Sequence, residues 1–150
     1  MKGTYEYYLG IGSNIGDLKS NLENALEKIE KIKECKIIKI SSFYKSKPWG
    51  YKAQNDFLNI VVEIKSNLSP EKMLIHIKSI EIQIGRIITF KNGPRKIDID
   101  ILFCGDIILK TETLIIPHPE IENRDFVINP LKEIAPNFIH PISKKRIIDY

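Results

Sequence analysis

Hydrophobic residues along the chain follow two spacings, one typical of strands and one typical of helices. Apolar residues at every second position predict four strands. These cover Tyr5–Ile11, Lys36–Phe43, Phe57–Ile64 and Asp98–Phe103. Apolar residues three and four positions apart predict two amphipathic helices, one spanning Leu18 to Ile32 and one spanning Pro70 to Ile84.

The residues that flank these patterns predict where each helix begins and ends. Asn14 or Asp17 is suited to cap the first helix, and Ser69 to cap the second. Gly85 is suited to end the second helix. Weaker patterns predict two short strands and a short helix near the C-terminus, over Ile107–Lys110, Leu114–Ile116 and Asn129–Ala135.

The element order is therefore β-α-β-β-α-β with additional short elements at the C-terminal side. This order predicts an α+β fold, a ferredoxin-like βαββαβ sandwich. Its sheet is antiparallel, its helices lie on one face, and extra C-terminal strands and short helices follow. The other face of the sheet is then open to a ligand.

A glycine-containing stretch, Gly10–Asp17, follows the first strand. Its spacing is G-x-G-x-x-x-G, which differs from the dinucleotide-binding fingerprint G-x-G-x-x-G. No acidic residue suited to closing a βαβ unit follows it. We interpret the stretch as a strand-to-helix turn.

Composition restricts the class of protein without identifying it. The 150 residues predict a single domain over 1–150, and 43% hydrophobic and 28% charged residues are ordinary for a globular protein. No apolar run approaches the roughly 20 residues of a membrane span, and no apolar signal region opens the chain, so we expect a cytoplasmic protein. Cys35 and Cys104 have no metal-ligand spacing and are expected to be free thiols. A net charge of +4 suits an anionic partner, either a nucleotide or a nucleic acid.

The candidate chemistry lies in the fourth strand. Asp98 and Asp100 fall on one face of it, with Cα atoms roughly 6.5–7 Å apart. Magnesium prefers one or two carboxylates completed by water and phosphate oxygens, and Arg95, just upstream, suits a phosphate group. The pattern therefore indicates phosphoryl or nucleotidyl transfer, although two aspartates on a half-exposed strand could simply face water.

Two further groups of residues suit a flat or anionic ligand. Phe57 and Asn59 share one face of the third strand, where a ring and an amide could hold a heterocycle or could pack across strands. Parity and topology predict that they share a sheet face with Asp98 and Asp100. His118 lies between two prolines, so its backbone is held rigidly; it could contact a ligand or point into water.

Several segments together resemble the 6-hydroxymethyl-7,8-dihydropterin pyrophosphokinase family in order and spacing, over nearly the whole chain. They are Gly10–Asp17, Ser41–Tyr44, Phe57–Asn59, Gly93–Asp100, Pro117-His118 and Asn123–Phe126. The most specific of them is Gly93–Asp100, with the pattern G-P-R-x-x-D-x-D. The resemblance implies a ferredoxin-like enzyme of folate biosynthesis. It would move pyrophosphate from ATP to the hydroxymethyl group of the pterin and release AMP.

The resemblance also implies a role for particular residues. Asp98 and Asp100 would hold two magnesium ions. Residues implied in catalysis are Arg86, Lys91, Arg95, Asp98 and Asp100. Residues implied in nucleotide binding are Glu81, Arg95, Ile101, His118 and Arg124. Residues implied in pterin binding are Gly12, Ser46, Lys47, Trp49, Phe57, Asn59 and Phe126.

Four positions depart from the family pattern, and two long loops, Ser46–Asp56 and Arg86–Arg95, would close over the ligands. Asn92 replaces a frequent aromatic residue, and Ile88 replaces an arginine of some relatives. Lys47 replaces a frequent proline, and Phe57 replaces a frequent tyrosine.

Two other classes of protein compete with the enzyme. A four-stranded sheet with aromatic residues and a basic balance is typical of RNA-recognition modules, but no RNP-like aromatic run is present. A ligand sensor of the same fold would need no aspartate pair. We therefore expect a monomeric enzyme whose partners are ATP and the pterin, with no nucleic-acid or membrane partner.

Overall fold

The computed structural model describes residues 3–48, 53–85 and 96–150. Five strands form one antiparallel sheet: β1 Tyr5–Ser13, β2 Cys35–Ile40, β3 Tyr44–Ser46, β4 Phe57–Ser66 and β5 Asp98–Cys104. The strand order is β2-β4-β1-β5, and β3 pairs with β4 beyond the end of β2. Two short strands, β6 Leu109–Lys110 and β7 Ile115–Ile116, form a separate hairpin. The helices are α1 Leu18–Glu30, α2 Pro70–Ile84 and α3 Asp125–Ile134, and 3-10 turns cover Ile121–Asn123 and Ile147–Asp149.

This order confirms the predicted ferredoxin-like fold, because β1 lies between β4 and β5 and each neighbour runs antiparallel to it. The predicted caps are also present. Asp17 Oδ1 accepts the N–H of Ser20 at 3.1 Å, and Ser69 Oγ accepts the N–H of Lys72 at 3.4 Å. Gly85 ends α2 in the left-handed region, with φ of 97°.

The main hydrophobic core lies between the sheet and the two helices α1 and α2. Alternate residues of each strand face it, and the helices supply their apolar stripes. Its buried members include Leu9, Ile11, Leu22, Ile29, Ile60, Val62, Met73, Ile77, Ile99 and Ile101. One charged residue, Glu81, is buried on the same stripe of α2, which apolar spacing alone did not predict.

A second core lies on the opposite face of the sheet, which we expected to be open. There α3 and the C-terminal segment cover one half of the face. Helix α3 also begins at Asp125, four residues before the predicted start at Asn129. The prediction was wrong because Asn129-Pro130 resembles a helix start, whereas Pro130 lies inside the helix. The face therefore serves as a core at one end and as a ligand surface at the other.

The predicted strand Lys36–Phe43 ends in the structure at Ile40, the last residue of β2, and the sequence did not predict the short strand β3 that follows it. At the break, Ser41 Oγ accepts the N–H of Val61 at 2.9 Å, and the Ser41 N–H donates to the Val61 carbonyl at 2.9 Å. The Ser41 hydroxyl thus accepts a hydrogen bond that a backbone carbonyl would accept in a regular ladder. Serine side chains often bond to backbone groups in this way. The chain then turns and resumes pairing at Tyr44.

A β-bulge in β5 changes which side chains face the ligand side. Tyr8 pairs with Phe103 and Leu9 with Ile101, so Leu102 is an extra residue in the ladder. Leu102 and Phe103 both lie in the second core, and Cys104 lies in the first. Cys104 and the half-buried Cys35 are free thiols, as expected. In the part of the chain that the structure describes, no helix is both long and apolar enough to cross a membrane.

Candidate active site

A cavity that is open to solvent lies on the half of the second sheet face that α3 and the C-terminal segment do not cover. Four strands and the start of α3 form its walls. It brings together nine of the residues implied by the family resemblance: Gly12, Ser46, Lys47, Phe57, Asn59, Asp98, Asp100, Arg124 and Phe126. Phe57, Asn59, Asp98 and Asp100 share it, so the prediction that they lie on one face of the sheet is confirmed.

The floor of the cavity is formed by two glycines of β1. Gly10 pairs with Asp100 on one side and Val61 on the other, and Gly12 pairs with Asp98 and Asn59. A Cβ atom on Gly12 would lie 2.9 Å from Asn59 Oδ1, so no larger side chain fits there without displacing the amide. The interpretation of this stretch as a turn was wrong for its first part, because β1 continues through Ser13.

The Asn59 side chain is buried at one end of the cavity and is held by β3. Its Nδ2 donates to the Tyr44 carbonyl at 3.0 Å and to Ser46 Oγ at 2.8 Å. These two bonds use both amide hydrogens and direct Oδ1 toward the Gly12 side of the cavity. Phe57 and Phe126, both half-buried, line the same cavity from β4 and α3.

The opposite end of the cavity carries the carboxylate pair. Asp98 and Asp100 occupy alternate positions of β5, and the side chain of Asp100 is 36% exposed. Burial and the neighbouring Asp98 carboxylate raise the pKa of Asp100, and the Arg124 charge offsets this effect only in part. Two like charges held together are the arrangement that a divalent cation relieves.

Two cationic or potentially cationic side chains approach this pair. Arg124 Nη1 lies 3.8 Å from Asp100 Oδ2, and its guanidinium lies 5.6 Å from the centre of the Phe126 ring. His118 Nε2 lies 3.9 Å from the same carboxylate oxygen, and its Nδ1 accepts the N–H of Glu120 at 3.1 Å. Burial and the Arg124 charge lower the pKa of His118 to about 4, so the ring is neutral at pH 7.

The donor set fits magnesium rather than a metal held by protein alone. Within residues 3–48, 53–85 and 96–150, no three His, Cys, Asp or Glu side chains are grouped closely enough to hold a metal ion. Asp98 and Asp100 supply two hard oxygen donors beside an open cavity, which leaves positions for water and phosphate oxygens.

Two residues implied in nucleotide binding are buried on the opposite side of the sheet from the cavity, the side that packs against α1 and α2. Glu81 is 1% exposed, and its Oε2 accepts the N–H of Ile99 at 2.8 Å. Its Oε1 lies 3.4 Å from Lys78 Nζ. The side chain of Ile101 is buried in the main core. Their roles toward the nucleotide stay predictions, as do the roles of all the residues implied by resemblance.

Four other residues implied in binding or catalysis lie outside the described residues: Trp49, Arg86, Lys91 and Arg95. So do the departures at Ile88 and Asn92. Described residues beside these segments are tied to the end of β1. Asn14 Nδ2 donates to Gln54 Oε1 at 2.7 Å, and Ser13 Oγ donates to the Lys96 carbonyl at 2.5 Å.

The cavity also contains residues that the sequence did not single out. They are Gly10, Ile11, Ile60, Leu102 and Val127. Gly10 could have been found, because it is two positions from Gly12 on the same strand face. Leu102 shares parity with the two aspartates, but its apolar neighbours gave no sign of a site. Val127 follows from the early start of α3, which the proline pattern concealed.

The family model described as 7,8-dihydro-6-hydroxymethylpterin-pyrophosphokinase matches residues 8–136. The chain belongs to this family. Family membership agrees with the resemblance carried by the motifs and with the fold.

Curated relatives support the same assignment, and solved structures share the fold. The chain is 48% identical over 143 residues to the 2-amino-4-hydroxy-6-hydroxymethyldihydropteridine pyrophosphokinase of Aquifex aeolicus, covering 95% of this chain and 88% of that protein. It is 47% identical over 134 residues to the folic acid synthesis protein FOL1 of Dictyostelium discoideum, covering 89% of this chain but only 20% of that longer protein. Its fold matches that of Plasmodium falciparum HPPK-DHPS crystallised with pteroate, with a TM-score of 0.77, 17% identity, and coverage of 97% of this chain and 41% of the other.

Proposed function

We propose that this pyrophosphokinase transfers the terminal pyrophosphate of ATP to the hydroxymethyl group of 6-hydroxymethyl-7,8-dihydropterin and releases AMP. Family membership supports pyrophosphokinase activity in folate biosynthesis. The observation that carries the proposal is one cavity with two chemically different ends. One end has aromatic side chains and a held amide, and the other has a carboxylate pair and an arginine.

The aromatic end suits the pterin. Phe57 and Phe126 would stack on a flat heterocycle, and Asn59 Oδ1 would accept a hydrogen bond from an N–H group on its edge. The hydrogen bonds from Asn59 Nδ2 to β3 hold the amide in this orientation before the ligand arrives. Such preorganisation reduces the entropy lost on binding.

The charged end suits the phosphates of ATP. Arg124 would neutralise phosphate oxygens, and Asp98 and Asp100 would hold two magnesium ions against them. When bound, the metal supplies positive charge to the phosphate oxygens and lowers the pKa of the attacking hydroxyl. Because its pKa is lowered, the His118 ring is neutral at pH 7. The ring would therefore act beside the phosphates as a hydrogen-bonding group and not as a cation.

The reaction itself requires alignment more than covalent chemistry. The pterin hydroxyl oxygen forms a bond to the β-phosphorus, the bond from that phosphorus to the AMP oxygen breaks, and AMP leaves with the bonding electrons. The hydroxyl proton passes to Asp98 or to water. The cavity would hold the pterin hydroxyl and the ATP phosphates side by side, and such alignment of two reactants can raise the rate by several powers of ten. The monomeric state and cytoplasmic location stay predictions from the sequence.

Product analysis tests the proposal. The protein is incubated with ATP, magnesium and the reduced hydroxymethylpterin, and the nucleotides are separated. We expect AMP only when pterin and magnesium are both present. ADP in place of AMP would identify an ordinary kinase, and binding of pterin without nucleotide turnover would identify a ligand sensor; either result refutes pyrophosphoryl transfer.

A further inference from the structure

An exposed carboxylate on α3 accepts four hydrogen bonds from Ser42, just before β3, and from Tyr44, the first residue of β3. Glu133 Oε1 and Oε2 accept the Ser42 N–H at 3.0 and 3.1 Å, and Oε2 accepts the Ser42 hydroxyl at 2.9 Å. Oε1 also accepts the Tyr44 hydroxyl at 2.8 Å. An isolated surface carboxylate is ordinarily solvated and contributes little to stability. Glu133 instead has both oxygens engaged by one short segment.

The segment held by Glu133 leads directly to the pterin end of the cavity. The Tyr44 hydroxyl donates to Glu133 and the Tyr44 carbonyl accepts a hydrogen bond from the Asn59 amide, so two residues, Tyr44 and Asn59, link the carboxylate to the proposed pterin. Two residues farther along β3, Ser46 accepts the second Asn59 hydrogen and lines the cavity.

Strand β3 has little else to hold it in place. It contains three residues, and among the strands that the structure describes it pairs with β4 alone. A strand of this length is marginal without tertiary contacts. Helix α3 is its neighbour across the cavity, and this helix carries Phe126 at its start and Glu133 near its end.

We propose that Glu133 is a positioning residue that fixes β3 against α3. It thereby sets the spacing between the Asn59 wall and the Phe126 wall of the cavity. It touches no substrate, and its effect passes through Tyr44 and Ser42. The inference rests on the proposed function, because it takes the ligand between these walls to be the pterin.

The test compares variants of the full chain at a temperature well below unfolding. Glu133→Ala should raise the KM and Kd for the pterin about ten-fold, as expected from loss of about one net hydrogen bond to a charged group. The KM for ATP should change less than about two-fold, because the carboxylate end of the cavity is untouched. Glu133→Gln, which keeps one accepting oxygen, should fall between the wild type and the alanine variant.

Two further variants separate positioning from general stabilisation. Tyr44→Phe removes only the hydroxyl that donates to Glu133, so it should raise the pterin KM, and adding it to Glu133→Ala should have little extra effect. Glu27→Ala removes an exposed contact to Lys31 on α1, far from the cavity, and should leave both KM values unchanged.

Each outcome decides the inference. A folded Glu133→Ala protein with the wild-type pterin KM overturns it, and so does an equal rise in the KM values for pterin and ATP. A wild-type protein that binds pterin but forms no AMP refutes the proposed function alone, because pterin Kd values measured by fluorescence still test the positioning. A wild-type protein that binds no pterin overturns both.

Discussion

Replacement of Gly12 by alanine tests the shape of the pterin end of the cavity. The new Cβ would lie 2.9 Å from Asn59 Oδ1 and 3.4 Å from Phe57 Cδ1. Because the first distance is shorter than a van der Waals contact allows, the Asn59 amide must move. The cost is the loss of its hydrogen bonds to Tyr44 and Ser46, at 3.0 and 2.8 Å.

The size of the effect follows from these two bonds. A neutral hydrogen bond contributes about 1 kcal/mol net, so loss of one or both corresponds to about 1–2 kcal/mol. If that energy is needed to return the amide to its binding position, the pterin Kd rises about 5-fold to 30-fold. The fold itself should tolerate the change, since the atom that must move belongs to a side chain and alanine restricts the unfolded chain more than glycine does.

Gly10→Ala is the matched control. It places the same methyl group two residues earlier on the same strand face, where the nearest atoms are those of Leu102 at 3.5 Å, an ordinary contact. Pterin binding measured by fluorescence titration, and thermal unfolding, should be compared for both variants. A Gly12→Ala protein that binds the pterin within about two-fold of the wild type would refute the argument, as would an equal loss in Gly10→Ala.

Three further predictions concern the charged groups. Asp100→Asn should lower magnesium-dependent AMP formation by about 100-fold or more. Since the folded pKa of Asp100 is raised, ionisation of this carboxyl destabilises the metal-free protein as the pH rises. In EDTA at pH 8 the variant should therefore gain about 1 kcal/mol in free energy of unfolding, after allowance for screening at a partly exposed site. An unchanged turnover would exclude the metal assignment. The folded pKa of His118 is lowered to about 4, so in the unfolded chain this side chain binds more protons below pH 6.5. Its contribution to the free energy of unfolding therefore falls by about 2 kcal/mol from pH 7 to pH 4, opposite in sign to the contribution of Asp100. In EDTA, the stability of His118→Gln relative to the wild type should rise by this amount between pH 7 and pH 4; an unchanged difference would contradict the assignment. Glu81→Ala leaves the buried N–H of Ile99 without its acceptor and should cost about 1–3 kcal/mol in urea unfolding; a cost below about 0.5 kcal/mol would contradict a structural role for this bond.

Alternation of side chains predicted which side chains of β4 and β5 face the cavity, whereas most of the remaining site residues came from the family resemblance. Asp98 and Asp100 share parity on β5, Phe57 and Asn59 share parity on β4, and the ferredoxin-like topology places both strands beside β1. These local rules work here because polar and apolar residues alternate from Asp98 to Ile101 and on either side of Asn59. The caps of α1 and α2 followed from equally local chemistry at Asp17 and Ser69.

Local patterns failed where a tertiary contact decides the structure. The run from Ile99 to Cys104 is interrupted by a bulge at Leu102, but Ile101 through Cys104 are all apolar, so parity there carries no information. The break at Ser41 depends on the Val61 backbone of another strand. The burial of Glu81 depends on its hydrogen bond from the N–H of Ile99 on β5. Nothing in the sequence around either residue indicates that the two are partners.

The bulge also explains how one sheet face can serve as both core and active site. Before Leu102, β5 presents Asp98 and Asp100 opposite the glycines of β1, which have no side chains to fill the space. After Leu102, the same strand presents Phe103 to a core formed with α3. Because Phe103 is fully buried, that half contributes burial energy that the charged half lacks. Substitutions in β5 after Leu102 should therefore affect mainly the stability of the fold, whereas substitutions before Leu102 should affect mainly turnover.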